Sequence, residues 1–558
     1  MSLSVAALLF AAGTASAQTF AWSPAHGSIS GTVTDAGTKA PLAGRTVSVQ
    51  LAAPDGGGFS PFPSPGGGFR ATAFTAQTDV LGHYTVSDLA QANYTVSVSG
   101  SDILPARATV SLSAGEDHTG VDFAVVISAR LSGAVMDHAK YPMIRVPVLL
   151  LEKFYQNGKP AYRQVSRATT DSQGNYHLDR AVKPGGVYAL LADPVLRGMP
   201  AISGAPEDPQ KRDPVLAPAY YMKSGFIEGA VTISPRPGQE IEGLDIEMER
   251  VKSYCVAGVT LAEGKPTSLS FEIAPPAIPP GPAGPGMIPI SPPSSMTGSE
   301  GQFRVCGLPP GEYRFTAASA SRPVAPSQHQ LFGALPVSVT DHDLARLQID
   351  ALPGFSLSGE VVWDGDGPAK QASAQVQVSL VPAVSNAGRA AVAAPLPGRF
   401  VATGVLPDEY FVQASAPTGY YIKEITYGGL SVLHQTFQTI AGATLTVFVA
   451  RDGGAITAKL TDKDGNPLPS ATVWFLPATA RTPAELETVL TSATTDAAGL
   501  CASGTLPPGK YTVFATIESF DRTAAHIDSL WSARSKGTEV ELGPNGSAQV
   551  SLEPITIF

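Results

Sequence analysis

Short runs in which apolar and polar residues alternate fill this chain. Thr46, Ser48 and Gln50 interleave with Val47, Val49 and Leu51, and Thr95 and Ser97 with Tyr94, Val96 and Val98. A period of two puts one set on a buried face and the other in water, which predicts antiparallel strands with one solvated side. The runs are bounded by Gly, Pro and Asp turn signals. The pattern predicts many short strands, and helices beyond short turns are not expected.

The pattern repeats five times. Each copy opens on an apolar-x-Gly-x-Val strand: Ile29–Val33, Leu131–Val135, Val256–Val259 and Leu357–Val361, with Ile456–Leu460 as a departure carrying Ala458 in place of Gly. A turn follows, fullest as Thr78–Tyr84, Thr170–Tyr176 and Thr495–Leu500, and then a Pro-Gly-x-Tyr element, fullest at Leu308–Tyr313 and Leu506–Tyr511. The turn glycines 82, 174, 301, 398 and 499 precede tyrosines 94, 188, 313, 410 and 511 by 12, 14, 12, 12 and 12 residues. A spacing of about 100 residues is too long for a solenoid unit and suits a small β-sandwich. The turn Asp is placed to hydrogen-bond the backbone two residues on. Each tyrosine stands at a corner, where its ring can pack inward and its hydroxyl can cap a carbonyl.

Composition supports this reading. Only 15% of the 558 residues are charged, Gly (56) and Pro (49) approach a fifth of the chain, and 43% are hydrophobic, too many for wholesale disorder. The net charge of −10 excludes an electrostatic nucleic-acid footprint. Residues 1–17 read as a signal peptide: Leu3–Ala12 is apolar and Ala15-Ser16-Ala17 fits a small-x-small cleavage site, although no Lys or Arg precedes the apolar run. No stretch approaches 18 apolar residues, so no transmembrane segment is expected. The expected localisation is exported: periplasm, outer surface or secreted.

The motifs Ile29–Asp35, Pro41–Val47, Asp464–Val473, the Thr-Asp-x-x-Gly-x-Tyr turns and the Pro-Gly-x-Tyr corners resemble the carboxypeptidase regulatory-like domains, related to transthyretin-like and carbohydrate-binding-like sandwiches. The resemblance covers nearly the whole mature chain. It implies an all-β fold of five tandem antiparallel β-sandwich (immunoglobulin/transthyretin-like) domains, of the kind frequent in bacterial secreted proteins. The family takes its name from an accessory domain of metallocarboxypeptidases that is not itself the hydrolase. The spacing sets the domains at 18–127, 128–250, 251–352, 353–451 and 452–558. Connections are short, with Val126 running into Leu131 and Arg250 into Val251, so a semi-rigid array is expected rather than beads on a string. Three inserts, 54–70, 193–226 and 274–298, are read as long inter-strand loops.

The chemistry expected of a hydrolase is missing from the sequence. None of the nine histidines has Glu three residues later, and neither His-Glu-x-x-His, Gly-x-Ser-x-Gly nor a phosphate-binding Gly-rich loop occurs. No catalytic, metal or cofactor-binding residue is assigned, and no cofactor is expected. Asp341-His342-Asp343 reads as a loop, and the Asp-x-Asp-Gly stretches at 364–367 and 462–465 as β-turns. Aromatic residues remain. Trp474, flanked by inward Val473 and Phe475, points outward by the period of two and is a candidate for stacking on a sugar ring or a partner. Tyr220, Tyr221, Tyr420 and Tyr421 are weaker candidates of the same kind.

Cys255 and Cys306 flank Val256 and Val305 on strands that the transthyretin-like arrangement makes antiparallel neighbours. The resemblance therefore implies a Cys255–Cys306 disulfide, with Cys501 left as a lone thiol. The resulting expectation is a non-catalytic exported protein with a structural or adhesive role at the cell envelope. The alternatives are a carbohydrate-binding protein using exposed aromatics, and an accessory subunit of a separately encoded peptidase or secretion system. A glycan or another envelope protein is the candidate partner.

Overall fold

The computed structural model describes residues 26–52, 73–100, 102–179, 182–194, 212–222, 225, 227–274, 294–319, 330–365, 376–383, 390–394, 398–517 and 523–557. Residues 1–17, read above as a signal peptide, all of the insert 54–70, most of 274–298, residues 195–211, 223, 224 and 226 of the second insert, and residues 366–367 of the stretch 364–367 lie outside them. The chain divides into two compact units, Met1–Ile127 and Ser128–Phe558.

Met1–Ile127 carries the pattern in its simplest form. Strand Gly27–Asp35 lies between His83–Leu89, its antiparallel neighbour, and the short strands Asp117–His118 and Phe123–Val125, which run parallel to it. A second sheet has the order Phe74–Gln77, Thr46–Leu51, Ala92–Ser99, Ala106–Leu112, antiparallel throughout. The inward residues of both sheets, among them Ile29, Val33, Val47, Val49, Tyr94 and Phe123, form one core. This is the face-to-face packing that period-two strands produce. The opening-strand glycine is required by close approach. A Cβ on Gly31 would stand 2.0 Å from the Val121 carbonyl oxygen, and the Tyr84 hydroxyl donates to that same oxygen at 2.7 Å.

Within Ser128–Phe558 the opening-strand arrangement recurs at four positions, and around Tyr254–Ala262 the strands join into one eight-stranded sheet through the pairing of Leu331 and Phe332 with Pro353 and Leu352. The opening strands Arg130–Asp137, Tyr254–Ala262, Phe355–Asp364 and Ala455–Leu460 each pair antiparallel on one side and parallel with the last strand of their repeat on the other. Each repeat has its own core, centred on Val148 and Leu190, Phe271 and Phe315, Val378 and Val447, and Val473 and Val513. Gly133 repeats the role of Gly31: its Cβ would meet Leu244 O at 2.3 Å, where the Tyr176 hydroxyl donates.

Two features depart from expectation. The fifth repeat carries two helices, α1 (Pro483–Val489) and α2 (Ala524–Ala533), and α2 is longer than a turn. Thr482 caps α1 by accepting from Glu485 N, while the Glu485 carboxylate accepts from Arg481 N. This reciprocal capping, followed by Pro at the first helical position, starts a helix even in a β-rich chain. Thr523 caps α2 by accepting from His526 N, and Ile527, Leu530 and Ala533 line its buried side. The second departure concerns contacts within Ser128–Phe558. These are not confined to consecutive repeats, because a long hairpin of the second repeat, Pro147–Gln156 with Lys159–Thr169, touches the fourth and the fifth.

Candidate functional site

The polar residues that recur with the repeat are used inside it. The corner tyrosines 94, 313 and 511 donate to the carbonyls of Ala90, Pro309 and Pro507, four residues back, at 2.9, 2.9 and 2.7 Å. Tyr188 donates to Lys183 O at 2.9 Å, and Tyr410 instead accepts from Leu406 N at 3.1 Å. All five rings are buried. Burial pushes the phenols of Tyr188, Tyr313, Tyr410 and Tyr511 up, Tyr511 to about 12, so they stay protonated at physiological pH. The turn carboxylates Asp79, Asp171, Asp462 and Asp496 each accept two backbone N–H groups, two and four residues on. Hydrogen bonds from Asn175 and Gln173 hold Asp171 below the usual carboxylate range, and those from Asn466 hold Asp462 there.

A third recurrent group was not anticipated. The buried hydroxyls of Thr78, Thr170 and Thr495 accept from the N–H of Arg45, Val146 and Ala471 and donate to the carbonyls of Leu42, Met143 and Leu468. Each closes the end of a strand pair whose last backbone groups would otherwise be buried without partners. The signal was the invariable Thr before the turn Asp in these three copies.

The aromatic candidates have a different fate from the one expected. Trp474 does point away from the core of its repeat, but α1 and α2 cover it. It is only 3% exposed, packs with Leu486, Phe514, Ile527 and Leu530, and donates from Nε1 to Thr516 Oγ1 at 3.0 Å. It is therefore unavailable for stacking on an external sugar. Alternation along a strand fixes the side a ring faces, while the helices that cover it come from elsewhere in the chain. Tyr220 is 1% exposed and is likewise no surface platform. Tyr221 is half-buried against the core of the second repeat. Tyr420 meets Trp363 edge-on at 5.0 Å between centroids, and Tyr421 donates to Asp452 at 2.9 Å. Trp474, Tyr220, Tyr221 and Tyr420 belong to four different apolar clusters, and the candidates build no common platform.

Cys255 and Cys306 are joined, with Cα atoms 4.0 Å apart. They do not sit directly opposite each other in the ladder. Tyr254 pairs with Leu308 and Val256 with Val305, leaving Cys255 across a β-bulge from Cys306-Gly307. Neither sulfur belongs to the apolar core of the repeat, although Cys255 is covered. Cys501 is free and half-buried.

The remaining charged groups that stand out tie repeats together. Asp343, in the loop Asp341-His342-Asp343, receives the Arg212 guanidinium in a two-pronged contact at 2.7 and 2.7 Å and accepts from Cys255 N at 2.9 Å. Arg314 of the third repeat reaches buried Asp408 of the fourth at 2.5 Å. Beside that pair an open cleft of about 790 Å³ is lined by Phe332, Leu352, Phe355, Pro407 and Ile440, with Asp350 as its one titratable group. A single carboxylate in an apolar lining supplies no acid–base pair. Among the described residues no cluster of His, Cys, Asp and Glu could hold a metal ion, and no helix is long and apolar enough to cross a membrane.

Comparison with known proteins adds the following. No curated protein sequence matches the chain. Among solved structures, a streptococcal ancillary pilin is 15% identical, covering 58% of this chain and 98% of its own, with a TM-score of 0.18. The TIE protein of Bacillus anthracis is 12% identical, covering 83% and 71%, with a TM-score of 0.16. A shaft pilin from Lactobacillus rhamnosus GG is 12% identical, covering 41% and 98%, with a TM-score of 0.17. Superpositions this loose do not bear on function. Residues 28–126, which span the first repeat, match the family model of the carboxypeptidase regulatory-like domain.

Proposed function

We propose that this chain is a non-catalytic, exported structural protein of the cell envelope, built from five β-sandwich domains at 18–127, 128–250, 251–352, 353–451 and 452–558. One observation carries the reading: the tyrosines, aspartates and threonines that recur with the repeat, the residue types from which an active site would be made, bond backbone groups of their own repeat. The joined Cys255 and Cys306 support an oxidising, extracytoplasmic compartment. The glycan-binding alternative loses its leading residue through the burial of Trp474. The test is a direct one. Purified full-length chain is assayed for zinc-dependent release of C-terminal amino acids and screened on a glycan array. No turnover and no saturable glycan binding are expected; zinc-dependent turnover, or glycan binding abolished by substituting Tyr221, Tyr420 or Tyr421, would overturn the reading.

A further inference from the structure

The hairpin Pro147–Gln156/Lys159–Thr169 is longer than its sheet requires. Val148–Glu152 pair with Tyr188–Ala192 on the other side, whereas Phe154, Tyr155 and Gln156 pair only with Ala161, Pro160 and Lys159. The tip turns on Asn157-Gly158, both at positive φ (53° and 74°), the two-residue turn that matches strand twist. The three outer residue pairs add nothing to the core of the second repeat.

They have partners elsewhere. Tyr155 packs on the layer made by Trp474, Leu486, Phe514, Ile527 and Leu530, and its hydroxyl donates to Asp528 of α2 at 2.5 Å. Lys153 stands 3.9 Å from the same carboxylate. At the tip, Lys159 meets Thr436 at 3.3 Å and Glu409 at 3.8 Å, both in the fourth repeat. Helices of seven and ten residues are too short to persist unaided, so the layer they form depends on what packs against it.

We propose that this hairpin is an intramolecular clasp. By seating Tyr155 on the helical layer of the fifth repeat and Lys159 on the fourth, it holds the repeats of Ser128–Phe558 as one body and keeps the aromatic layer over Trp474 closed. The contact joins residues 373 positions apart, which the short linkers between consecutive repeats cannot do.

The experiment uses the full chain with Tyr155→Ala, Lys159→Ala and the pair combined, read by small-angle scattering and by hydrogen exchange. Losing a half-buried aromatic contact and a charge-assisted hydrogen bond is expected to speed exchange in α2 by roughly tenfold or more. In the pair, the radius of gyration is expected to rise, while exchange in Thr46–Leu51 of the first repeat stays as in the parent. Unchanged scattering, or faster α2 exchange with no expansion, would overturn the clasp. Should Tyr155→Ala not fold, Tyr155→Phe with Lys159→Ala removes only the polar contacts. Several-fold faster α2 exchange with expansion supports the proposal, and parental behaviour in both readouts defeats it.

Discussion

Replacing Trp474 with alanine separates a cover residue from a ligand platform. The indole is buried between the outer side of strand Thr472–Pro477 and the helices, and its N–H reaches Thr516 Oγ1, a fully buried hydroxyl. Truncating a buried Trp to Ala costs about 3–5 kcal/mol through lost contacts and the cavity left behind. Depriving the Thr516 hydroxyl of its donor adds about 1 kcal/mol or more. A total of about 4–6 kcal/mol corresponds to roughly a thousandfold to ten-thousandfold or more in the opening equilibrium of the surrounding strands. Hydrogen exchange on the full chain reads this directly. Protection in Thr472–Pro477, Gly509–Thr516 and α2 should fall by about that factor, while Thr46–Leu51 should keep its parental rates. Trp474→Phe keeps most of the packing and should lose only about 1–2 kcal/mol. Parental exchange in Trp474→Ala would refute the reasoning, because a residue so placed cannot be removed without consequence.

Other outcomes follow from the same accounting. Denatured, unreduced protein should titrate a single thiol, Cys501, and the variant Cys255→Ser with Cys306→Ser should destabilise the third repeat by about 4 kcal/mol, as expected for closing a loop of 51 residues. Thr170→Val keeps the shape of the side chain but strands Val146 N and Met143 O, and should cost about 2–3 kcal/mol in a denaturant titration followed at the second repeat. The Arg212 guanidinium and the Cys255 amide hold the Asp343 carboxyl below its ordinary value of 3.8. A depressed folded pKa stabilises the folded form above the unfolded value, and the contribution is lost as pH falls through the folded one. Protection of the Cys255 amide, taken relative to its intrinsic exchange rate at each pH, should therefore fall below about pH 4, and Asp343→Asn should abolish that dependence.

Much of the fold could be read because its determinants are local. The Asp-x-x-Gly turns, the corner tyrosines and the opening-strand glycine each answer to a constraint within a few residues or one strand pair, the tyrosine in all five copies, the glycine in four and the turn in three. The helices of the fifth repeat were equally local: Arg481-Thr482-Pro483-Ala484-Glu485 carries a capping box with Pro at the first helical position. They were overlooked because the surrounding composition favoured strands. The covering of Trp474 and the reach of Tyr155 to Asp528 are of another kind. They depend on how segments hundreds of residues apart meet, which no periodicity encodes. The aromatic candidates failed for that reason, since a period of two assigns a side and cannot say what lies over it.

In every repeat the opening strand is the parallel neighbour of the last: Val33 beside Phe123, Val135 beside Ile246, Thr260 beside Ile349, Val361 beside Val447 and Leu460 beside Leu552. Tension on the chain pulls the first strand from its N-terminal end and the last from its C-terminal end. Two antiparallel terminal strands would be peeled apart one hydrogen bond at a time. Two parallel ones are drawn along each other, so that the rungs between them take the strain in shear and fail together. Each repeat thus resists stretching until it yields in one step; the third, fourth and fifth repeats each offer six pairs to break, unbroken in the fourth and fifth and interrupted by a register shift after Val256 in the third.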